Sequence, residues 1–399
     1  MPNRNVEIMN ILFQFDDPII PSSGGVERVT DTLTREFKRR GHNVYFLCHQ
    51  KYDLITSETE LSAEQFYLPK EEVESKKGAQ FIEDLIEREK INVVISQNPN
   101  KIQLQILESI DTSVKKIAVI HTQPYCEDEI TRRRIYDIST LSFTHRLFKI
   151  VSFIFPGVYR SFFSKVTTES YKDILSHNDY MCLISERFYT RIRKHIPNID
   201  YSKLCAINNP NTFQVKEIDL EEKENYFIWV GRVNNGGKNC IDFLRFFHRF
   251  SQIRSDWKAI VVGDGPDLES NKNWVRKREI KNIEFTGNVD NVSDYYKKAT
   301  YLIVTSWSES WSMVLTEGMA HGCIPIVYDT YETLHDIIDD GQSGFILTDT
   351  SPQGILRSVL STMNDSDLKR KVAINAHKKV QNFNIKDIVD QWIELLITK

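Results

Sequence analysis

What most restricts this chain is a series of short, nearly continuous apolar runs separated by segments of helical period. A strand wetted on one side alternates apolar and polar residues, whereas a run without alternation has both faces buried, as in a parallel strand sandwiched between helices. Residues 6–15, 43–48, 91–96, 116–121 and 181–185 predict the strands of one such sheet. Residues 226–230, 257–262, 283–285, 301–304, 324–327 and 345–347 predict those of a second. An α/β chain of two doubly wound, Rossmann-like domains follows. Their joint falls between the turn Asn209-Pro210 and the acidic stretch Glu217–Glu224, giving an N-terminal domain over 1–210 and a second over 211–384. In residues 385–399, Ile385, Ile388, Val389, Trp392, Leu395 and Leu396 recur at helical spacing and predict a closing amphipathic helix.

A length of 399 residues suits two or three domains. The 51 Lys and Arg against 55 Asp and Glu leave a net charge of -4, so no global basic field would hold nucleic acid. Six scattered cysteines, with no CxxC, read as buried thiols in a reducing cytoplasm. The apolar start, Val6 to Phe13, is too short and polar for a signal sequence and reads as a first strand. Ser152, Pro156 and Gly157 interrupt the longest apolar stretch, Ile150 to Tyr159, well short of the ~20 residues that span a bilayer.

Chemistry concentrates where strands end. Gly24-Gly25 lies between the first strand and a helix marked by Val26, Val29, Leu33 and Phe37, the turn at which open parallel sheets bind ligands. Gly231-Arg232 follows the strand Phe227 to Val230, and Lys238 comes six residues later through Asn234-Asn235-Gly236-Gly237. A guanidinium that matches phosphate bidentately and an ammonium on a flexible loop make a clamp suited to a diphosphate; alone, they read equally as solvated charges beside a turn. The stretch is one residue too long for a P-loop, and Asn239 stands where a magnesium-binding Ser or Thr is needed, which excludes a P-loop NTPase. Gly263-Asp264-Gly265-Pro266 indicates a tight turn. Glu309 in a loop and Glu317 about one turn into a helix starting near Met313 could each accept hydroxyls of an extended ligand, with the helix N-terminus taking its anionic part.

These residues in this order resemble the retaining nucleotide-sugar glycosyltransferases of family GT4, which have the GT-B fold of two Rossmann-like domains facing a cleft. The resemblance rests on Phe227 to Lys238, Gly263 to Pro266, Phe285-Thr286-Gly287 and the E-x7-E segment Glu309 to Glu317, and covers residues ~225–350. Gly24-Gly25 and His121 extend it less densely into the first domain. It implies that Arg232 and Lys238 neutralise the donor diphosphate, that Glu309 binds hydroxyls of the transferred sugar and Glu317 those of the ribose, and that the amides of Met313, Val314 and Leu315 contact phosphate. Phe285, Gly287 and Val289 would line the base pocket beside Gly263, and His121 with Gly24 and Gly25 would meet the sugar from the first domain. The closing helix would pack back on that domain. Glu309, His121, Arg232 and Lys238 are thus the expected catalytic set, with a nucleoside-diphosphate sugar (a UDP-sugar by family frequency) as donor and no metal or other cofactor. The acceptor implied is a glycan or lipid-linked glycan of cell-surface polysaccharide or lipopolysaccharide synthesis. Ser310 and Ser312 depart from the residues usual after the first glutamate and leave the donor sugar open. The rivals are a nucleotide-sugar epimerase or phosphorylase on the same fold, and a non-catalytic sugar-nucleotide-binding subunit.

Residues 132–165 hold Arg132, Arg133, Arg134, Arg146, Lys149, Arg160 and Lys165 against Asp137, interleaved with aromatic residues such as Phe153 and Phe155. Such a stretch fits either a segment gripping an anionic membrane surface or a pair of core helices with a solvated basic face. The first alternative implies an enzyme peripheral on the inner face of the cytoplasmic membrane.

Overall fold

The computed structural model describes residues 8–21, 24–49, 61–68, 76–110, 113–126, 155–214 and 217–398. These fall into two compact units. The first contains the described residues up to Tyr125, Phe162–Thr212 and the segment from Phe383 on; the second contains Cys126, residues 155–161 and Phe213–Asn382.

The first unit is built on seven parallel strands: β1 (Asn10–Phe15), β2 (Asn43–Cys48), β3 (Glu64–Tyr67), β4 (Val93–Gln97), β5 (Lys115–Ile120), β6 (Tyr180–Leu183) and β7 (Leu204–Ala206). Their order is β3-β2-β1-β4-β5-β6-β7. Ile11, Leu12 and Phe13 of the central β1 are fully buried, as a run without alternation demands. Five strands are expected from the apolar runs, and the two additional ones are the sheet's edges. Glu64–Tyr67 and Leu204–Ala206 are three or four residues long and pair on one side only, so neither needs a long apolar run. None of the six cysteines is in a disulfide; Cys205 is half-buried and the rest are buried.

The helix Gly25–Arg39 follows β1 and buries Val29, Leu33 and Phe37. The last helix, Ile385–Ile397, belongs to this unit as well. Arg40 pairs with Asp390 and donates to the Lys386 carbonyl at 2.7 Å, while the Lys115 ammonium caps the helix by donating to the carbonyls of Leu395 and Leu396 at 3.1 and 2.9 Å. A cation at the carbonyl end of a helix satisfies orphan acceptors and favours the helix dipole.

The second unit carries six parallel strands: β8 (Glu224–Val230), β9 (Lys258–Val262), β10 (Ile283–Gly287), β11 (Ala299–Val304), β12 (Ile324–Tyr328) and β13 (Phe345–Leu347), in the order β10-β9-β8-β11-β12-β13. Its core centres on Phe227, stacked on Trp257 at 4.6 Å between centroids and on Tyr301 at 5.6 Å, with Phe246 and Phe250 edge-on from the helix Cys240–Ser251. Strand order reverses between β1 and β4 in the first sheet and between β8 and β11 in the second. The loops leaving the carboxyl ends part at these points, and ligands bind there.

At the carboxyl ends of β8, β9 and β10 the backbones approach closely. Gly231 N donates to Val262 O at 3.0 Å, Gly263 N to Gly287 O at 2.8 Å, and Val233 N to Asp264 O at 2.8 Å. A Cβ on Gly263, whose φ is +130°, would lie 2.0 Å from the Gly231 carbonyl oxygen. Only hydrogen fits there. Gly263→Ala should therefore cost about 2–4 kcal/mol in urea unfolding. Gly341→Ala, at φ +71° but with open space around the added methyl, should cost only about 1 kcal/mol.

Candidate active site

The loop after β8 is braced before it reaches the switch point. The Asn234 carbonyl accepts from Lys238 N at 2.9 Å and Asn239 N at 3.0 Å, while its Oδ1 accepts from Gly237 N at 3.0 Å. Asn235 N donates to Asp267 Oδ2 at 2.7 Å, tying the loop to the one that follows β9. Asn239 turns the chain into the helix Cys240–Ser251 with a left-handed φ of 56°, and its side-chain amide donates to Asp242 Oδ2 at 2.9 Å. Where a P-loop would need a hydroxyl for magnesium, this residue makes a turn.

The loop after β11 is bonded to it. Thr305 Oγ1 accepts from the Trp229 indole at 3.1 Å and donates to Asn239 O at 2.8 Å, and Trp307 N donates to Gly237 O at 2.9 Å. These ties bring Lys238 and Glu309 together across the switch point. The ammonium donates to both carboxylate oxygens, at 2.6 and 2.7 Å, and Ser306 Oγ donates to Oε1 at 2.7 Å. Glu309 is 8% exposed and Lys238 37%, so one partner is committed to the protein while the other reaches water. A buried carboxylate needs such partners, because burial without them costs several kcal/mol.

Arg232 is exposed at the start of the same loop, and its side chain has no partner among the described residues. Gly263, Phe285, Gly287 and Val289 are half-buried at or just beyond the ends of β9 and β10. The helix Met313–Ala320 begins with no side chain capping it; Met313 and Val314 are half-buried there and Leu315 is fully buried. Glu317 differs from Glu309 in its surroundings. It is 1% exposed and accepts from the Tyr296 hydroxyl at 3.3 Å, while its carbonyl accepts from His321 Nδ1 at 2.8 Å. Gly318 lets this helix lie close on β11, since a Cβ there would meet Leu302 at 2.6 Å.

In the first unit Gly24 stands in extended backbone immediately before Gly25 opens its helix, and the Glu27 carboxylate folds back over it. His121 follows β5. Its backbone N donates to Asn98 Oδ1 at 2.8 Å, its Nε2 bonds the Gln97 side-chain carbonyl, and burial pushes its pKa down to about 4. Sequence reasoning missed a second imidazole at the same edge. His49 follows β2, is 1% exposed, and has Nε2 2.9 Å from Gln14 Nε2, whose carbonyl accepts from Ser96 Oγ at 2.6 Å. Burial holds it near 4 as well. The available signal was a histidine directly after a strand's last residue, the position that singled out His121.

No group of three or more His, Cys, Asp or Glu side chains among the described residues could hold a metal ion. Residues 132–154 of the basic, aromatic stretch lie outside the described residues. In the unfolded chain both histidines titrate near ~6.5, so between that pH and about 4 the unfolded state takes up protons that the folded state refuses. Stability supplied by the neutral imidazoles is therefore present above pH ~6.5 and lost as pH falls, by up to ~1.4 kcal/mol per pH unit for each. Urea unfolding at pH 7 and 4.5 should show a smaller acid loss in His49→Gln than in the parent.

Residues 211–379 match the family described as Glycosyl transferases group 1, and residues 23–210 match Glycosyltransferase Family 4. Over 176 residues the chain is 27% identical to the GalNAc-alpha-(1->4)-GalNAc-alpha-(1->3)-diNAcBac-PP-undecaprenol alpha-1,4-N-acetyl-D-galactosaminyltransferase of Campylobacter jejuni, covering 44% of this chain and 48% of that one. It thus spans about half the length of that relative. A 23% identical match to the alpha-monoglucosyldiacylglycerol synthase of Streptococcus pneumoniae covers 94% of this chain and 85% of the other. The fold resembles Anabaena HepE, solved in complex with UDP and glucose, at a TM-score of 0.72 and 13% identity over 98% and 100% of the two chains. Two family matches running end to end from residue 23 to residue 379, on two doubly wound parallel sheets, place this chain among the group 1 glycosyltransferases of GT-B fold.

Proposed function

We propose that the chain transfers a sugar, with retention at the anomeric carbon, from a UDP-sugar to a glycan or lipid-linked glycan in surface polysaccharide or lipopolysaccharide synthesis. The Lys238–Glu309 pair carries this reading: a cation and a carboxylate held together at the switch point, beside the exposed Arg232 and an uncapped helix N-terminus. A diphosphate entering this edge supplies Lys238 with a second anionic partner. The ammonium can then share its charge with phosphate, and Glu309 gains room to accept sugar hydroxyls. Arg232 and Lys238 would stabilise the diphosphate as the anomeric C–O bond breaks, the kind of charge stabilisation that dominates such steps. The acceptor oxygen bonds the same face of that carbon and passes its proton to the departing phosphate.

The remaining residues take recognition roles. Glu317 is assigned to the ribose hydroxyls, the Met313, Val314 and Leu315 amides to phosphate, and Phe285, Gly287 and Val289 to the base. His121, neutral because it is buried, offers a hydrogen bond and no charge, and with Gly24-Gly25 is assigned to the sugar. Lys238 and Arg232 provide the positive charge that a divalent cation would otherwise bring. The known names fit this assignment: the Campylobacter relative is named for transfer to an undecaprenol-linked glycan, and HepE was solved with UDP and glucose.

Association with an anionic membrane surface is part of the proposal. Phe155, Val158, Phe162 and Val166, at the start and along the helix Pro156–His177, are 57%, 70%, 59% and 48% exposed at helical spacing. Arg160 and Lys165 accompany them, which is the composition of an interfacial helix. Among the described residues, no helix is long and apolar enough to cross a membrane.

Glu309→Gln and Lys238→Ala should each lower UDP-sugar turnover, including hydrolysis without acceptor, by on the order of 10²–10³-fold. Activity in EDTA should equal that in buffer, and undiminished turnover in both variants would contradict the assignment. Co-sedimentation with phosphatidylglycerol vesicles should fall when Phe155 and Phe162 are both changed to Ser, and equal binding by parent and variant would rule out the membrane contact.

A further inference from the structure

Beside Glu309 the second unit buries two hydroxyls that have no hydrogen-bond partner. Ser312 Oγ lies three residues beyond Glu309 in the loop after β11, and the Tyr331 hydroxyl comes from the loop after β12. Ser312 is 1% exposed and Tyr331 4%. They are neighbours, near enough for the Ser312 hydroxyl to act on the phenol but not placed to hydrogen-bond it; burial first, and the Glu309 charge second, outweigh Ser312 and hold Tyr331 well above its ordinary pKa and therefore protonated.

The loop is not loosely placed. Thr330 Oγ1 donates to Ser306 O and Thr333 Oγ1 to Ser310 O, both at 2.7 Å. Two threonines flanking Tyr331 thus bolt its loop to the segment on both sides of Glu309. A rigidly placed polar atom with no partner is unusual in a protein interior, where burying a hydroxyl unpaired is unfavourable and most buried polar atoms are bonded. Two such atoms side by side, one of them in the field of Glu309, point to a partner that arrives with the ligand.

We propose that Tyr331 and Ser312 determine donor specificity: with Glu309 they line the part of the site that reads the transferred sugar, and they select a pyranose whose facing edge carries adjacent hydrogen-bonding groups. The inference rests on the glycosyltransferase reading above and adds to it the residues that choose the sugar. Glu309 can only accept, whereas each hydroxyl can donate or accept. The three together therefore fit a ring edge of hydroxyl or acetamido groups better than a deoxy edge. A site built around such bonds discriminates strongly against a sugar that leaves its polar atoms unpaired.

The test uses the full chain with UDP, UDP-glucose, UDP-galactose, UDP-N-acetylglucosamine and UDP-N-acetylgalactosamine as probes. Tyr331→Phe deletes one oxygen and keeps the ring. Because that oxygen has no partner in the free protein, the variant should melt at the parent's temperature or about 2–4 °C higher. UDP affinity should stay within about twofold, while the ratio of kcat/KM between the preferred and the next UDP-sugar shifts on the order of tenfold or more. Ser312→Ala should shift the same ratio. Unchanged ratios in both variants would overturn the proposal, and so would a uniform loss for every UDP-sugar with UDP affected equally, since the hydroxyls would then serve packing or ordered water. If the parent neither binds nor turns over any UDP-sugar, the donor reading itself fails. That result is distinct from a parent that discriminates sugars through other residues.

Discussion

The arrangement around Glu309 depends on how closely three backbones approach at the carboxyl ends of β8, β9 and β10. Gly231 N donates to Val262 O and Gly263 N to Gly287 O, and the Gly231 carbonyl comes so close that no side chain is admitted at Gly263. That contact fixes where the loop after β8 begins. Asn234, Asn235 and Asn239 then hold the loop's path by bonding its backbone and the loop after β9, and Thr305 with Trp229 attaches it to β11. Lys238 meets Glu309 as the last step in this chain of constraints. Without the glycines the loop would leave the sheet elsewhere, and the ion pair would have no geometric basis.

The pair itself is asymmetric in a way that suits binding an anion. Glu309 is enclosed and held by Ser306 as well as by Lys238, while Lys238 is more than a third exposed. A solvent-reaching cation can turn toward an anion at this edge while Ser306 keeps its hydrogen bond to the enclosed carboxylate. The two glutamates of the E-x7-E segment accordingly differ in kind. Glu309 sits in a loop with a partner that reaches solvent, and Glu317 sits inside a helix with its carboxylate against Tyr296 and its carbonyl on His321.

Much of this was readable before any coordinates. Parallel strands buried on both faces leave an unmistakable run of apolar residues, so the central strands and the helix from Met313 fall where the pattern puts them. Edge strands β3 and β7 do not, because an edge pairs on one side and can be short and polar. Arg232, Lys238, Glu309 and Glu317 were visible as charges at strand ends. Tyr331 was not, because an aromatic residue in a loop carries no periodic signal and its unpaired hydroxyl is a property of its neighbours. His49 was missed for a similar reason, its neutrality and its bond to Gln14 being consequences of burial.

The class of fold, the doubling of the parallel sheet and the charged residues near the strand ends are written along the chain, because apolar periodicity and the placement of Gly, Arg, Lys and Glu are local properties. Which of those charges touch is set by packing. Lys238 and Glu309 are 71 residues apart and become partners because β8 and β11 are neighbours at a reversal of strand order. Hydrogen-bond satisfaction is likewise a property of the packed state. That Ser312 and Tyr331 lack partners beside Glu309 follows from which loops pack together, and no reading along the chain contains it.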